Sequence, residues 1–341
     1  MSAGMNGNGM SGGAQVTGGQ NFGAQSAAEP VLAGQRARQQ YRAQASALPE
    51  DTWYDLDDLM VTVAQERLNI VADWQGRGLI DTVGIGTTIT SWQETNAFGE
   101  AAVDMAPESL GDEQASEYAT KYAPVPIIHQ DIRFNRREGD QHDVRGTDAP
   151  KSIRSVLEKM EEFAVEGWGQ TIVDADGREA HIYGLRTHPD RNTYPGSNWS
   201  TDSSAVDPDV REMISRAKAD NYYGPYTIYM SGGVEDVLMA PSPDFDNMRL
   251  AQQINNMSAI ERIVVSDKIP DGEMFLVDVS SEVIDGKMIE GGPVDTAEWE
   301  NTPFVTKVKA FGGFAPRIKS DMGEDGGERQ SGVVHATGLL G

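Results

Sequence analysis

The sequence predicts an α+β fold in which a long capped helix and a small α/β module share one chain with late strands. Three observations carry this. An apolar stripe with helical spacing follows Asp148 and ends at Gly167. Short helices and strands alternate from Asp207 onward. Ahead of both lies a long stretch rich in β-branched residues with too few large apolar groups for a core of its own.

Taken in order, residues 1–50 are rich in Gly, Ala, Gln and Ser, and are expected to form a flexible N-terminal arm. Residues 51–79 are expected to hold one helix over 55–75. Leu56, Leu59, Met60, Val63, Ile70, Val71 and Trp74 fall on one face of it, and Gly76 or Gly78 ends it. Residues 80–146 read as an extended β-hairpin loop. The runs Ile80–Trp92 and Ala123–Glu138 flank an acidic, small-residue middle. An excursion of that size makes physical sense when it lies on another molecule.

Thr147 or Asp148 is the expected cap of the next helix, with Pro150 in its first turn. Ile153, Val156, Leu157, Met160, Phe163 and Ala164 form its stripe. Asp176-Gly177 between two short strand runs signals a hairpin, and residues 187–204 read as a polar loop. An α/β unit follows over 206–294, including a short helix capped by Ser231 and another near 245–256. Residues 147–205 and 295–341 are expected to pack together, so the chain crosses twice between two units.

Composition removes whole classes of chemistry. The 341 residues contain no cysteine, which excludes disulfides, thiolate metal sites and a cysteine nucleophile. Acidic residues number 53 against 28 basic, a net charge of −25. Phosphate-backbone binding by the surface at large is therefore not expected. No apolar run reaches the length of a membrane span, and no secretory signal is expected. The charge is uneven: residues 1–49 carry Arg36, Arg38 and Arg42 against Glu29, a net of +2, which leaves −27 on the remainder. Self-repulsion of that size favours a salt-rich native environment and a halophilic host, because molar salt shortens the Debye length to about 3 Å.

Catalytic patterns are thin. His129, His142, His181, His188 and His335 show no metal-ligand spacing. Asp174-Ala175-Asp176-Gly177 begins like a calcium loop, but the twelfth position is Leu185. Gly84-x-Gly86 and Ser231-Gly232-Gly233 extend to no phosphate-binding motif, and no Gly-x-Ser-x-Gly occurs. No catalytic, cofactor-binding or metal residue is expected. The notable cluster is Arg133, Arg136, Arg137 and Glu138, which reads either as a solvated strand edge or as a seam where Arg forks meet a neighbour's carboxylates.

The order of elements resembles the Hong Kong 97-type coat fold of tailed viruses, which the encapsulin nanocompartments share. APVPIIHQDIRFNRRE (123–138) resembles the segment that runs down the extended loop of encapsulin-like coat proteins. GLRTHPDRNT (184–193) resembles their Gly-Leu-x-x-His-Pro loop, and ADNYYGPYTIYMS (219–231) their entry into the axial domain. FLVDVSSEVIDGKMI, TAEWE, FVTKVKAFGGFAPRI and SGVVH resemble the closing strands.

The resemblance implies a peripheral domain with a long spine helix at 148–166, an axial domain at 206–294, and a loop lying over a neighbouring subunit. It implies a major capsid protein that self-assembles through hexamers and pentamers into an icosahedral shell around double-stranded DNA. That protein would reside in the virion after assembly in the host cytoplasm, with cement or scaffold proteins as possible partners and no membrane. Lys121 is the one lysine of the loop, so covalent crosslinking of the kind some members perform is not expected. An encapsulin shell enclosing cargo enzymes is the alternative reading of the same fold. An acidic α/β hydrolase or binding protein is the alternative from another class.

Overall fold

The computed structural model describes residues 59–60, 62–64, 68–95, 118–135, 144–174, 176–243, 247–301, 305–321 and 330–341. The expected arm, the acidic middle of the loop, His142, Arg136, Arg137 and Glu138 lie outside these residues.

The first expected helix is interrupted. Residues 59–60 and 62–64 are helical, the chain leaves the helix at Leu68–Asn69, and α1 resumes at Ile70–Gly76. The restart has a physical cause: Glu161 accepts hydrogen bonds from the backbone N–H of Asn69, Ile70 and Val71. These amides lack carbonyl partners at a helix start, so an outside carboxylate replaces the turn that a continuous helix would supply.

The loop region is also divided. β1 (Ile80–Val83) runs parallel to β11 (Ile284–Ile289), while β2 (Ile89–Thr95) and β3 (Tyr118–Pro124) form the hairpin. β4 (Ile127–Asn135) leaves it to pair along β13 (Val305–Ile318). Two local breaks explain why each apolar run yields two strands. A turn at Gly84, whose carbonyl accepts from Thr87 N–H at 2.9 Å, divides the first. Pro124 and Pro126, which donate no ladder bond, divide the second.

α2 spans Val144–Glu166 and therefore begins before the expected cap at Thr147 or Asp148, with Pro150 inside it. Those polar residues mark where the buried stripe starts, at fully buried Ala149, rather than where the helix does. β5 (Gly167–Val173) and β6 (Glu179–Tyr183) form the hairpin expected at Asp176-Gly177. Its turn is fixed by Asp174, which accepts from the amides of Asp176 and Arg178, both at 2.9 Å, and by Gly177 at φ +78°.

β7 (Asn192–Pro195) is a strand within the expected polar loop. α3 (Val206–Ala219), β8 (Tyr226–Met230), α4 (Gly232–Leu238), α5 (Leu250–Asn255), β9 (Ile260–Val265) and β10 (Met274–Asp278) follow. β12 (Asp295–Asn301) and β16 (Val333–Thr337) complete the larger sheets, and the short β14 (Ser320–Asp321) and β15 (Gln330–Ser331) pair with each other.

Those two sheets organise the molecule. The first has the order β1-β11-β13-β12, with β4 also on β13; the second has the order β7-β16-β10-β8-β9. The second sheet is buried on both faces. Ile228, Met230, Leu276, Val334 and Ala336 face a core with α3, α4 and α5. Tyr229, Phe275, Val277 and Val333 face the other core, which contains α1, α2 and the first sheet. Alternation with a period of two along each strand produces this division. Sheet membership cuts across the boundaries drawn from sequence: β7 and β16 join the second sheet, and β11 joins the first. Each is placed by a partner remote in sequence, which local patterning does not specify.

Candidate functional site

β13 supports the two hairpins. Its residues Val308, Ala310, Phe314 and Ile318 enter the core around α2, while Ala315 packs with Ala123, Val125, Ile182 and Ile289 beneath the two hairpins. Arg317 locks the longer hairpin in place. Its Nε and Nη2 donate to Asp285 at 2.5 and 2.6 Å, its Nη1 donates to the Ser91 carbonyl at 3.2 Å, and the guanidinium lies 5.4 Å from the centre of the Trp92 ring. A bidentate, nearly buried fork of this kind fixes direction as well as distance. The hairpins carry exposed apolar side chains: Tyr118 is 63% exposed and Val173 59%.

Of the four residues singled out by sequence, Arg133 is placed on β4, exposed, opposite Lys307 in the β13 register. The neighbouring pair Asp131 and Lys309 forms an ion pair at 3.5 Å. Arg136, Arg137 and Glu138 lie outside the described residues.

The histidines scatter. His129 is exposed on β4, and His181 and His188 flank Tyr183 in a cleft of about 420 Å³ at the foot of the hairpins. His335 is buried. Among the described residues no three His, Cys, Asp or Glu side chains converge to hold a metal ion. Ser231 caps α4, accepting from the Val234 amide at 3.4 Å, the structural role its sequence position suggests. No helix among the described residues is long and apolar enough to cross a membrane.

Sequence patterning missed the buried polar networks. Glu161, 1% exposed, accepts from Ile70 N–H at 2.8 Å, Val71 N–H at 3.2 Å and the Ser266 hydroxyl at 2.9 Å. Burial pushes its pKa up, opposed by those donors. Asp73, 5% exposed, accepts from the Tyr229 hydroxyl at 2.7 Å and from Arg77 and Arg262, while Trp74 Nε1 donates to Tyr229 at 3.1 Å. Burial first, then the Asp73 charge, raises the Tyr229 hydroxyl well above its ordinary pKa. These groups join α1 to α2, β8 and β9. The one local signal was Glu161 itself, an acid inside the apolar stripe of α2.

This arrangement of two sheets, a long helix and a seated hairpin is the capsid-like fold of Hong Kong 97 type. The chain is similar to the virus-like particle from Pyrococcus furiosus, at 12% identity and a TM-score of 0.55, over 83% of this chain and 98% of that one. It is similar to the capsid of Myoviridae phage XM1, at 14% identity and a TM-score of 0.53, over 77% and 90% of the two chains. The capsid of the native GTA particle computed with C5 symmetry aligns at 8% identity and a TM-score of 0.54, over 78% and 90%. No curated protein sequence matches. A family model described as a family of unknown function (DUF6260) matches residues 42–298, and the chain belongs to that family.

Proposed function

We propose that this chain is a major capsid protein of a tailed double-stranded DNA virus with a halophilic host. It assembles through hexamers and pentamers into an icosahedral shell around the genome, without sequence-specific DNA contacts. Its role is structural rather than catalytic, its location is the virion, and assembly takes place in the host cytoplasm with cement or scaffold proteins as further partners. The observation that carries the reading is the fold, whose compared relatives include capsids of a phage and of a GTA particle.

In this reading residues 80–146 lie over a neighbouring subunit, and Arg133, Arg136, Arg137 and Glu138 contribute to that seam. The peripheral domain comprises 147–205 and 295–341, and the axial domain 206–294, except that β7 and β16 complete the axial sheet and β11 belongs with the peripheral one. The hairpin of β2 and β3, held by Arg317 and carrying exposed Tyr118, supports the first assignment. Self-complementary contacts repeated around a closed shell need no active site.

Imaging and size-exclusion chromatography of the purified chain across a salt series test the proposal. Closed particles containing nuclease-protected DNA are expected; a discrete species of single-chain size at every salt concentration would overturn it. The virus-like particle from Pyrococcus furiosus, covered over 98% of its length, favours a second reading as a cellular shell around enzymes. Particles holding protein cargo and no DNA would select that reading. The net charge of −25 adds an expectation: Tm rises from low to molar salt, and a flat response refutes the salt-rich environment.

A further inference from the structure

A chain of ionisable side chains ties the segment 184–191 to the second sheet. Arg186 donates through Nη1 to Glu166 at the end of α2 at 2.9 Å, and through Nε and Nη2 to Glu273 at 2.9 and 3.1 Å. Glu273 Oε2 also faces His335 Nε2 at 3.0 Å. On the other side of that ring, Arg191 Nε lies 3.3 Å from Nδ1. An arginine Nε–H can only donate, so Nδ1 must accept, and the single ring proton sits on Nε2 toward Glu273. His335 is 4% exposed and stacks on Phe275 with ring centres 4.5 Å apart. With the ring neutral, two guanidinium groups balance two carboxylates.

We propose that His335 is an acid-sensitive latch that holds the segment 184–191 against the second sheet. A proton added at Nδ1 turns the acceptor facing Arg191 into a donor. The same proton places a third positive charge among Arg186, Arg191, Glu166 and Glu273. Glu273 favours the charged ring, but both of its oxygens already accept from Arg186. Arg191 also holds the segment internally, donating through Nη1 to the His188 carbonyl at 2.7 Å. Displacing Arg191 therefore loosens the segment itself.

The groups around the ring are few. Glu273 and Phe275 face it from the start of β10, Arg186 and Arg191 from the segment, and Glu166 acts from α2 through Arg186. β7 contributes Thr193 across the strand pair. Burial, together with the two arginines, holds the His335 pKa below its ordinary 6.5 against the pull of Glu273. The folded state thus favours the neutral ring. Its stabilisation is full above the unfolded pKa of about 6.5 and declines as pH falls through the lower folded value.

Hydrogen exchange of the full chain, corrected for intrinsic rates and followed from about pH 7.5 to 5, reads the latch directly. Wild-type amides of 184–195 are expected to lose protection by up to about tenfold per pH unit as pH falls from about 6.5 toward the folded pKa, levelling off below it, while those of β8 keep theirs. His335→Asn should abolish the dependence. Arg191→Gln keeps a donor but removes one opposing charge, so the folded pKa rises toward 6.5 and the total loss of protection should shrink and level off at higher pH. A flat wild-type profile overturns the proposal, as does a dependence that survives in His335→Asn. So does one abolished by His188→Asn, since that histidine lies in the same segment. If His335→Asn does not fold, a loss of protection undiminished in Arg191→Gln is itself decisive against the latch. None of these readouts requires a shell, so failure here and failure of the capsid reading are distinguishable.

Discussion

Replacing Glu161 by alanine strands the buried start of α1. Four donors converge on this carboxylate, and their fates differ. Asn69 is exposed, so water can satisfy its amide, and the Ser266 hydroxyl can rotate. The amides of Ile70 and Val71 belong to fully buried residues and have no such recourse. Each stranded amide costs about 1–3 kcal/mol, so the pair costs about 2–6 kcal/mol. Removing a carboxylate whose burial is itself unfavourable offsets part of this, and a net loss of about 2–4 kcal/mol is expected. Glu161→Gln keeps one acceptor oxygen and the side-chain volume without the charge, and should lose about half as much. The assay is equilibrium urea unfolding of unassembled chain at fixed salt, followed by tryptophan fluorescence, since Trp74 is buried in α1. A loss below about 0.5 kcal/mol for alanine, the level of an unremarkable surface change, would refute the capping argument. So would a glutamine variant less stable than the alanine one.

Three further outcomes follow from the geometry. Gly167 has φ +72°, and an added Cβ would stand 2.3 Å from the Ile182 carbonyl oxygen, so Gly167→Ala should lower Tm sharply, by about 3 kcal/mol or more in stability. Gly169→Ala, with nothing within 4 Å of the added carbon, is the control expected to be silent. Arg317→Ala removes the fork on Asp285 and the Ser91 and Trp92 contacts but leaves Lys319 on Asp285 at 2.9 Å, and should cost about 1–3 kcal/mol, seen as faster proteolysis within 84–124. The Tyr194 hydroxyl donates to Asp209 at 2.7 Å, and burial together with that carboxylate pushes its pKa up to about 12. Its stabilising effect therefore holds below the ordinary pKa of 10.0 and is lost as pH climbs to about 12; ultraviolet titration of Asp209→Asn should show one tyrosine ionising earlier.

Local physics made much of the fold legible. The α2 stripe, the Asp176-Gly177 hairpin, the Ser231 cap and the alternation from α3 to β10 all depend on residues close in sequence. What patterning missed depends on remote partners. A continuous stripe through Val63, Ile70 and Trp74 cannot register a helix break at Leu68–Asn69, because the carboxylate replacing the lost turn comes from Glu161. β7 reads as a polar loop because Asn192, Thr193 and Tyr194 carry no alternation. It is a strand because β16 offers it a parallel edge. The Arg133 cluster was visible as charge, and the structure places Arg133 on an exposed strand. The Arg186–Glu273–His335 chain was invisible, since its members are scattered between residues 186 and 335.

The pairing of the larger sheets also sets an order of events during synthesis. β1, β4 and β7, the early strands of those sheets, take their partners from β11, β13 and β16, all beyond residue 283. Until those partners emerge, the two short hairpins and the β10-β8-β9 part of the second sheet can close, but β1, β4 and β7 have no edge to join and the first sheet cannot form over α2. The core around α2 is thus completed only after residues 284–318 have emerged, later than most of the core formed by α3, α4 and α5. A chain cut before residue 284 therefore carries an open core and an unfinished scaffold for its hairpins.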